Sequence, residues 1–302
     1  MKASAVRAKV VCTGSSGRIG RAIMARLTGI FEVVGVDRVA GPATTLRANI
    51  ADEYPMRKAL EGADAVIHTA GPHAPHVGKL SEAEFERAVV ADTAQLFDWA
   101  RAAGVRRFVF ASTTALYGHA IVPGTCTWID ETTPPSPRTI YHRTKLAAER
   151  RLEAAASRQC SLRVLRIGRC FPETAPLMTV YRLHRGIDTR DVAEGHVRAL
   201  SHRGAPFERF VLSGATPFLR EDAEMLGQDA PHVLRRRARA LVAAFERRGW
   251  ALPTAIDRVY DAAKAQRALG WTMRHDWREV IAQAERSDEA LMSRGRSEVC
   301  DA

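Results

Sequence analysis

The 302 residues, 46% hydrophobic and 26% charged, have the balance of a globular protein, long enough for one large α/β domain or a nucleotide-binding domain with a small appendage. No apolar run approaches the roughly 18 to 20 residues that cross a bilayer, and Met1 to Ala8 lack the apolar stretch of a secretion signal, so a cytoplasmic chain without a membrane partner is expected. Five scattered cysteines with no C-x-x-C pair speak against a zinc site or a disulfide framework. The net charge of +11 rests on 45 basic residues of which only six are lysine. Arginine is spread along the chain, apart from the cluster Arg235, Arg236, Arg237 and Arg239, so a small phosphate- or carboxylate-bearing substrate is expected and nucleic acid is not.

Apolar runs at Lys9–Thr13, Glu32–Asp37, Ala65–Thr69, Arg107–Ala111, Ser161–Arg166 and Arg209–Ser213 predict strands. They alternate with helical patterns at Arg18–Thr28, Glu82–Ala103, Thr139–Ser157 and Arg190–Ser201. This rhythm predicts an α/β fold, a Rossmann-type doubly wound parallel sheet, because each parallel connection must cross over a face of the sheet. After Ser213 the rhythm fades into helical, Arg-rich sequence divided by Pro217, Pro231 and Pro253, which suggests a small, mainly helical C-terminal substrate cap. The expected division is a nucleotide-binding core over 1–168, completed by 187–213, a cap over 169–186 and 214–284, and a polar tail over 285–302.

The first strand runs into Gly14, Gly17 and Gly20, then a helix that begins near Arg18. Glycine suits a tight turn, lets a pyrophosphate approach the backbone, and lets the helix pack close to the strand. The N–H groups of Ser16, Gly17, Arg18, Ile19 and Gly20 then sit at a helix N-terminus, where phosphates bind. Asp37, seventeen residues after Gly20 at the end of the second strand, can accept the adenosine ribose hydroxyls and repel a 2′-phosphate, favouring NAD over NADP. Arg38 beside it offers a partial counter-charge to such a phosphate. Tyr141 and Lys145, four residues apart on a predicted helix, share one face. A lysine ammonium beside a phenol favours the phenolate and lowers its pKa toward the working pH. The strand FVFAS and the residues Thr113 and Thr114 after it put hydroxyls where ligands bind in such sheets.

With these motifs in view, the sequence resembles an extended short-chain dehydrogenase/reductase of the NAD-dependent epimerase/dehydratase family. The resemblance is carried by TGSSGRIG, VDR around Asp37, AVIHTAG over 65–71, FVFASTTALYG, YHRTK, LRIGRC, DTRDVAEGH and DRVYDAAKAQRALGW. It implies that Thr113 holds the substrate oxygen, that Tyr141 is the acid/base, and that Lys145 binds the ribose and modulates the phenol. It also implies that Asn49 and Ile50 flank adenine, that Thr69, Ala70 and Gly71 line the nicotinamide side, and that a homodimer forms through 82–103 and 139–157.

The chain departs from the family pattern at Val89, where an asparagine is usual, and at Arg169-Cys170-Phe171-Pro172-Glu173, which replaces Asn-x-Tyr-Gly-Pro. The connection from Arg166 to Asp191 is also short and lacks the insertion that grips a nucleotide-sugar. Uronate dehydrogenases of the family have a similar RIG-x-C-x-PE run and a Tyr-Arg pair, which Tyr181 and Arg182 match, although their polar substrate contact is missing from STTALYG. The expected function is therefore an NAD-dependent oxidoreductase acting on a small polar alcohol or carbonyl, such as a sugar or sugar acid. Arg182, helped by Arg169 or Arg185, is expected to bind its anion, and His73 to line the site. The alternatives are a nucleotide-sugar epimerase or dehydratase and a non-catalytic NAD(P)-binding regulatory protein. His68, within an apolar strand, is expected to be a satisfied core histidine, and Tyr260, Trp271 and Trp277 to pack the cap.

Overall fold

The computed structural model describes residues 7–287. Seven strands form one sheet: β1 (Lys9–Thr13), β2 (Glu32–Asp37), β3 (Leu46–Arg47), β4 (Ala65–His68), β5 (Arg107–Thr113), β7 (Ser161–Ile167) and β8 (Phe207–Leu212). Their order is β3-β2-β1-β4-β5-β7-β8 and every pair is parallel. Chain direction across the sheet reverses between β1 and β4, which opens a crevice at their carboxyl ends.

Strands covered on both faces read as continuous apolar runs. In β5, Phe108 and Phe110 face α2 (Glu53–Leu60), α4 (Asp92–Ala102) and α5 (Ile140–Ala155), among Met56, Phe97 and Leu152. Val109 and Ala111 face the other way, toward α1 (Arg18–Leu27) and α7 (Thr189–Ser201), among Ile23, Leu165 and Val192. The helix expected over 82–103 is interrupted: α3 (Glu82–Glu86) passes through a π turn at Arg87–Ala91 before α4 begins. Val89 lies in that turn, 2% exposed within the core.

A third apolar cluster lies outside the sheet, in the stretch expected to form the cap. It joins α6 (Ala175–His184), α8 (Ala223–Gln228), α9 (Ala230–Arg237) and α10 (Arg239–Arg247) through Val180, Leu226, Leu234 and Phe245. A two-stranded parallel ladder of β6 (Thr127–Ile129) and β9 (Arg258–Tyr260) brings Cys126 and Val259 into the same cluster. Packing therefore crosses the sequence boundaries in both directions. Trp277 packs the cap as expected, and Tyr260 lies with Tyr117 and Ile129 beneath it. Trp271 does not: it is fully buried with α11 (Ala263–Leu269) against the α1–α7 face of the sheet, its indole N–H donating to Asp191 O at 2.9 Å. The Asp191 carboxylate accepts the backbone N–H groups of Arg274 and His275 at 3.0 and 2.9 Å, so the returning chain is fastened to α7. Residues 285–287, assigned above to a polar tail, continue a helix over 277–287; the remainder of that tail lies outside the described residues.

In the arginine cluster, Arg236 and Arg237 pair with Asp222, whose side chain is fully buried, and Arg237 also pairs with Glu221. These guanidiniums hold α8 to α9, a structural use of charge. Among the described residues no helix is long and apolar enough to cross a membrane, and no group of three or more His, Cys, Asp or Glu side chains is placed to hold a metal. Cys12, Cys126, Cys160 and Cys170 are free thiols.

The β1–α1 turn is the tightest point of the sheet edge. A Cβ on Gly20 would lie 1.9 Å from Gly14 O, a contact only backbone movement relieves. Gly20→Ala is therefore expected to destabilise the fold by about 1–3 kcal/mol, the scale of overpacking in a closed interior. Urea unfolding of the two proteins measures it, and equal midpoints would contradict the packing argument.

Candidate active site

The carboxyl edge of the sheet gathers the sequence-predicted residues from six strand ends. At the end of β1, Gly14 has φ +77°, and a Cβ there would lie 2.6 Å from Thr69 Oγ1 and 2.7 Å from Ala70 N. The turn thus needs glycine twice, for its backbone angle and for the chain leaving β4. Gly17 caps α1 in extended conformation without a side-chain cap, leaving the first N–H groups of that helix, from Arg18 onward through Ile19, for an anion. Asp37 closes β2. Its Oδ2 accepts Ser16 N–H at 2.9 Å and its Oδ1 accepts Val39 N–H at 3.0 Å, while Ser16 Oγ donates to Val39 O at 2.8 Å. The carboxylate therefore braces the glycine loop against the strand beside it. Arg38 is exposed, and its carbonyl accepts Arg47 Nε at 3.1 Å. Asn49 and buried Ile50 follow β3, with Asn49 N–H bonded to Asp52. These groups fit a dinucleotide: a cradle that a Cβ would fill, free amides at a helix start, and an acceptor at the second strand's end.

His68 at the end of β4 is fully buried between Thr13 Oγ1, at 2.6 Å, and Thr93 Oγ1, at 2.9 Å, stacked on Phe110. Burial pushes its pKa down to about 3, with the Lys145 charge adding to the effect, so it is a neutral, satisfied core histidine. Thr69 Oγ1 donates to Thr13 O at 2.7 Å, and Gly71, at φ +133°, turns the chain toward His73. His73 stacks on Phe171 with ring centroids 5.9 Å apart, joining the loop after β4 to the loop after β7.

β5 ends at Thr113, whose Oγ1 accepts Ala115 N–H at 3.1 Å. Tyr141, in the first turn of α5, lies near enough to Thr113 for that side chain to favour its phenolate. Thr139 caps that helix by accepting His142 N–H, which sets where the tyrosine emerges. Lys145 is buried, donates Nζ to Ala111 O at 2.9 Å and lies 4.6 Å from the Phe110 ring centre. Thr113, Tyr141 and Lys145 are thus brought together on one side of the crevice.

The proton energetics differ from the expectation drawn from the Tyr-x-x-x-Lys spacing. Burial pushes the Tyr141 phenol up to about 12, the Thr113 side chain opposing it. Burial also lowers Lys145 to about 8, the Glu149 carboxylate opposing. The lysine directs its ammonium to a strand carbonyl, so desolvation outweighs any attraction between it and the phenolate.

The residues after β7 divide. Arg169 is exposed, salt-bridged to Glu173, with its guanidinium 5.7 Å from the Phe171 ring centre. Arg185 stacks on Tyr181 at 3.9 Å. Arg182, on α6 and 8% exposed, donates Nη2 to Asp188 Oδ2 at 3.1 Å, while its Nη1 is buried without a hydrogen-bond partner. Burial raises the Cys170 thiol above its ordinary range, with the charges of Arg18 and Arg182 opposing. Sequence reasoning did not single out Cys170 as a site residue, nor Asp188, the carboxylate that orients Arg182.

This arrangement defines a nucleotide-binding Rossmann enzyme fold with a hydroxyl, phenol and ammonium at its carboxyl edge. A match to the NAD dependent epimerase/dehydratase family extends over residues 10–176, and the chain belongs to that family. It is 32% identical over 122 residues to the NAD-dependent glucose-6-phosphate dehydrogenase of Haloferax volcanii, covering 36% of this chain and 44% of that protein. It is 28% identical over 120 residues to the uronate dehydrogenase of Pseudomonas putida, covering 36% and 42%, and 32% identical over 163 residues to the UDP-glucose 4-epimerase of Streptomyces lividans, covering 49% and 48%. The chain thus spans less than half the length of the curated relatives it matches. Among solved structures, a short-chain dehydrogenase/reductase superfamily protein from Agrobacterium tumefaciens with bound NAD superposes with TM-score 0.71 at 20% identity, covering 96% of this chain and 99% of that one. UDP-N-acetylglucosamine 4-epimerase from Bacillus cereus gives TM-score 0.66 at 18% identity, covering 91% and 97%. At these identities the superpositions bear on the fold alone.

The electrostatics are open to direct titration. The near-ultraviolet phenolate band of Tyr141, isolated as wild type minus Tyr141→Phe, is expected to grow in with a midpoint near about 12 in the ligand-free protein. A midpoint at or below the ordinary phenol value of about 10 would show that the Lys145 charge already governs the phenol.

Proposed function

We propose that this chain is an NAD-dependent dehydrogenase or reductase acting on a small polar alcohol or carbonyl that carries an anionic group, a sugar acid or a sugar phosphate. The observation that carries the reading is that Thr113 ends β5 where α5 brings Tyr141 and Lys145 to the same edge of a dinucleotide-type sheet, the Lys145 ammonium donating to Ala111 O two residues before Thr113. NAD, when bound, supplies the hydride acceptor or donor. The Thr113 hydroxyl holds the substrate oxygen against Tyr141, and Tyr141 exchanges its phenolic proton with that oxygen. Lys145, protonated below about pH 8, offers a positive charge that opposes the burial penalty on the phenolate.

Gly14, Ser16, Gly17, Arg18, Ile19 and Gly20 would hold the pyrophosphate, and Asp37 the ribose. Asn49 and Ile50 would flank the adenine, and Thr69, Ala70 and Gly71 the nicotinamide side. Arg182 has a buried guanidinium nitrogen left over after pairing with Asp188, and a planar donor pair suits a carboxylate or phosphate. Two relatives whose names specify glucose-6-phosphate and uronate support an anionic sugar. The short segment between β7 and α7, which holds only α6, offers little surface for a nucleotide-sugar. Nucleotide-sugar epimerisation remains the second reading, favoured by the match to a UDP-glucose 4-epimerase. Net growth of the reduced-nicotinamide absorbance with substrate identifies the dehydrogenase, and turnover without net change identifies the epimerase.

Tyr141→Phe is expected to keep NADH binding, read by nucleotide fluorescence, and to lose at least about 100-fold in kcat, the usual scale of a positioned acid/base. Near wild-type turnover would remove Tyr141 from that role. Arg182→Ala is expected to lower kcat/KM roughly tenfold or more on the anionic substrate, as for a lost hydrogen bond to a charged group. A neutral analogue should suffer much less; equal losses on both would mean that Arg182 serves the fold.

A further inference from the structure

Behind the acid/base residues lies an ion pair that the proton chemistry above does not use. Glu149, one turn beyond Lys145 on α5, and Arg166, near the end of β7, are each 1% exposed. Arg166 donates Nε to both Glu149 carboxylate oxygens at 3.2 Å and Nη2 to Oε2 at 2.6 Å. Ser112, the neighbour of Thr113, donates its hydroxyl to Glu149 Oε1. The other arm of Arg166 donates Nη1 to the Tyr117 phenol at 2.6 Å, and that phenol donates to Asp130 O at 3.0 Å. Tyr141, Lys145 and Glu149 follow each other at intervals of four on one helix and share a face.

Two charges held out of water add little net stability, since apolar residues of similar volume often stabilise as well or better. What charge supplies here is a field at a particular place. The groups facing Lys145 are Tyr141 and Glu149 from its own helix, His68 from β4, His73 from the loop after β4, and the Phe110 ring and Ala111 carbonyl from β5. Both histidines have pKa values lowered by burial and are neutral near pH 7. Among these groups the Glu149 carboxylate is the anion.

We propose that Glu149, clamped by Arg166 and Ser112, is a positioning residue of this site: it supplies the counter-charge that keeps Lys145 an ammonium and ties the helix bearing Tyr141 to the strand end bearing Thr113. The role of that ammonium in turnover rests on the dehydrogenase reading; the test below does not. Burial lowers Lys145 and Glu149 opposes the shift, the sign this arrangement requires.

The chain has only six lysines, so nitrogen-15 spectra of labelled lysine side chains can follow Lys145 through a pH titration, with Lys145→Arg to assign it. Glu149→Gln alone leaves Arg166 buried and unpaired, and loss of the fold would mask the effect. The decisive protein is therefore Glu149→Gln/Arg166→Met, which buries neither charge and whose cooperative unfolding is checked first. The variant removes a cation as well as an anion, and of the two it is Glu149 that bears on Lys145, so Lys145 is expected to bind protons at least about threefold more weakly than wild type, titrating at lower pH. An unchanged midpoint in the folded double variant overturns the proposal. No substrate enters the measurement, so inactivity on sugars would sink the dehydrogenase reading and leave this one standing, whereas an unchanged midpoint in an active enzyme would sink this one alone.

Discussion

Every strand of the main sheet runs the same way, and this constraint places the chemistry. Parallel strands end on one edge, so residues far apart in sequence meet there without long loops. The glycine turn, Asp37, Thr69 to Gly71, Thr113 and the Arg169–Glu173 segment each follow a different strand. The order reversal between β1 and β4 then leaves room at that edge for an elongated ligand. Tyr141 and Lys145 are the exception, because they belong to a helix, and a helix can slide or rotate against a sheet.

α5 is fixed by two kinds of contact that do different work. Ala148 and Leu152 pack it into the sheet core, a non-directional attraction that tolerates small shifts. The Glu149 contacts to Arg166 and Ser112 are directional and join α5 to two strands at once. Removing one member of a buried pair typically costs about 3–5 kcal/mol because the other charge is stranded. That steep penalty on misplacement gives α5 a single register against β5 and β7, and hence a single position for the phenol relative to Thr113.

Much of the fold was legible because its signals are periodic and long. β1 and β2 match the apolar runs residue for residue, and the α1, α5 and α7 patterns lie within two residues of the observed helices. β3, β6 and β9, two or three residues each, carry no period to read. Trp271 looked like a cap residue because its neighbours in sequence are helical and charged; its place under the sheet follows from the anchoring of Arg274 and His275 on Asp191, contacts more than eighty residues apart. The glycine turn and the Tyr-Lys spacing announced the crevice residues. Their electrostatics were not legible, since spacing reports which groups are near and not how much water each has lost. Burial outweighs the lysine's attraction at Tyr141, and it sets Lys145 itself. Glu149 and Arg166 read as an ordinary glutamate and arginine in a chain full of arginine, and only the fold turns them into a pair.

Arginine abundance thus has to be sorted by what each guanidinium has left to give. Arg236 and Arg237 are spent on Asp222, Arg169 on Glu173, and Arg166 on Glu149 and Tyr117. Arg185 lies against the Tyr181 ring, 3.9 Å from a side chain of Asp257. Arg182 combines near-complete burial, a carboxylate that orients it, and a buried nitrogen with no partner, as Arg163 does beside Glu208 at the opposite end of the sheet's β7, but Arg182 lies on α6 beyond the carboxyl end of that strand. An unmet buried donor costs about 1–3 kcal/mol, and an anion arriving at that nitrogen would recover the loss with the strength of a charge-assisted bond. An exposed arginine exchanges water for ligand at nearly even cost, so selectivity for an acidic substrate is better built at Arg182 than at Arg169.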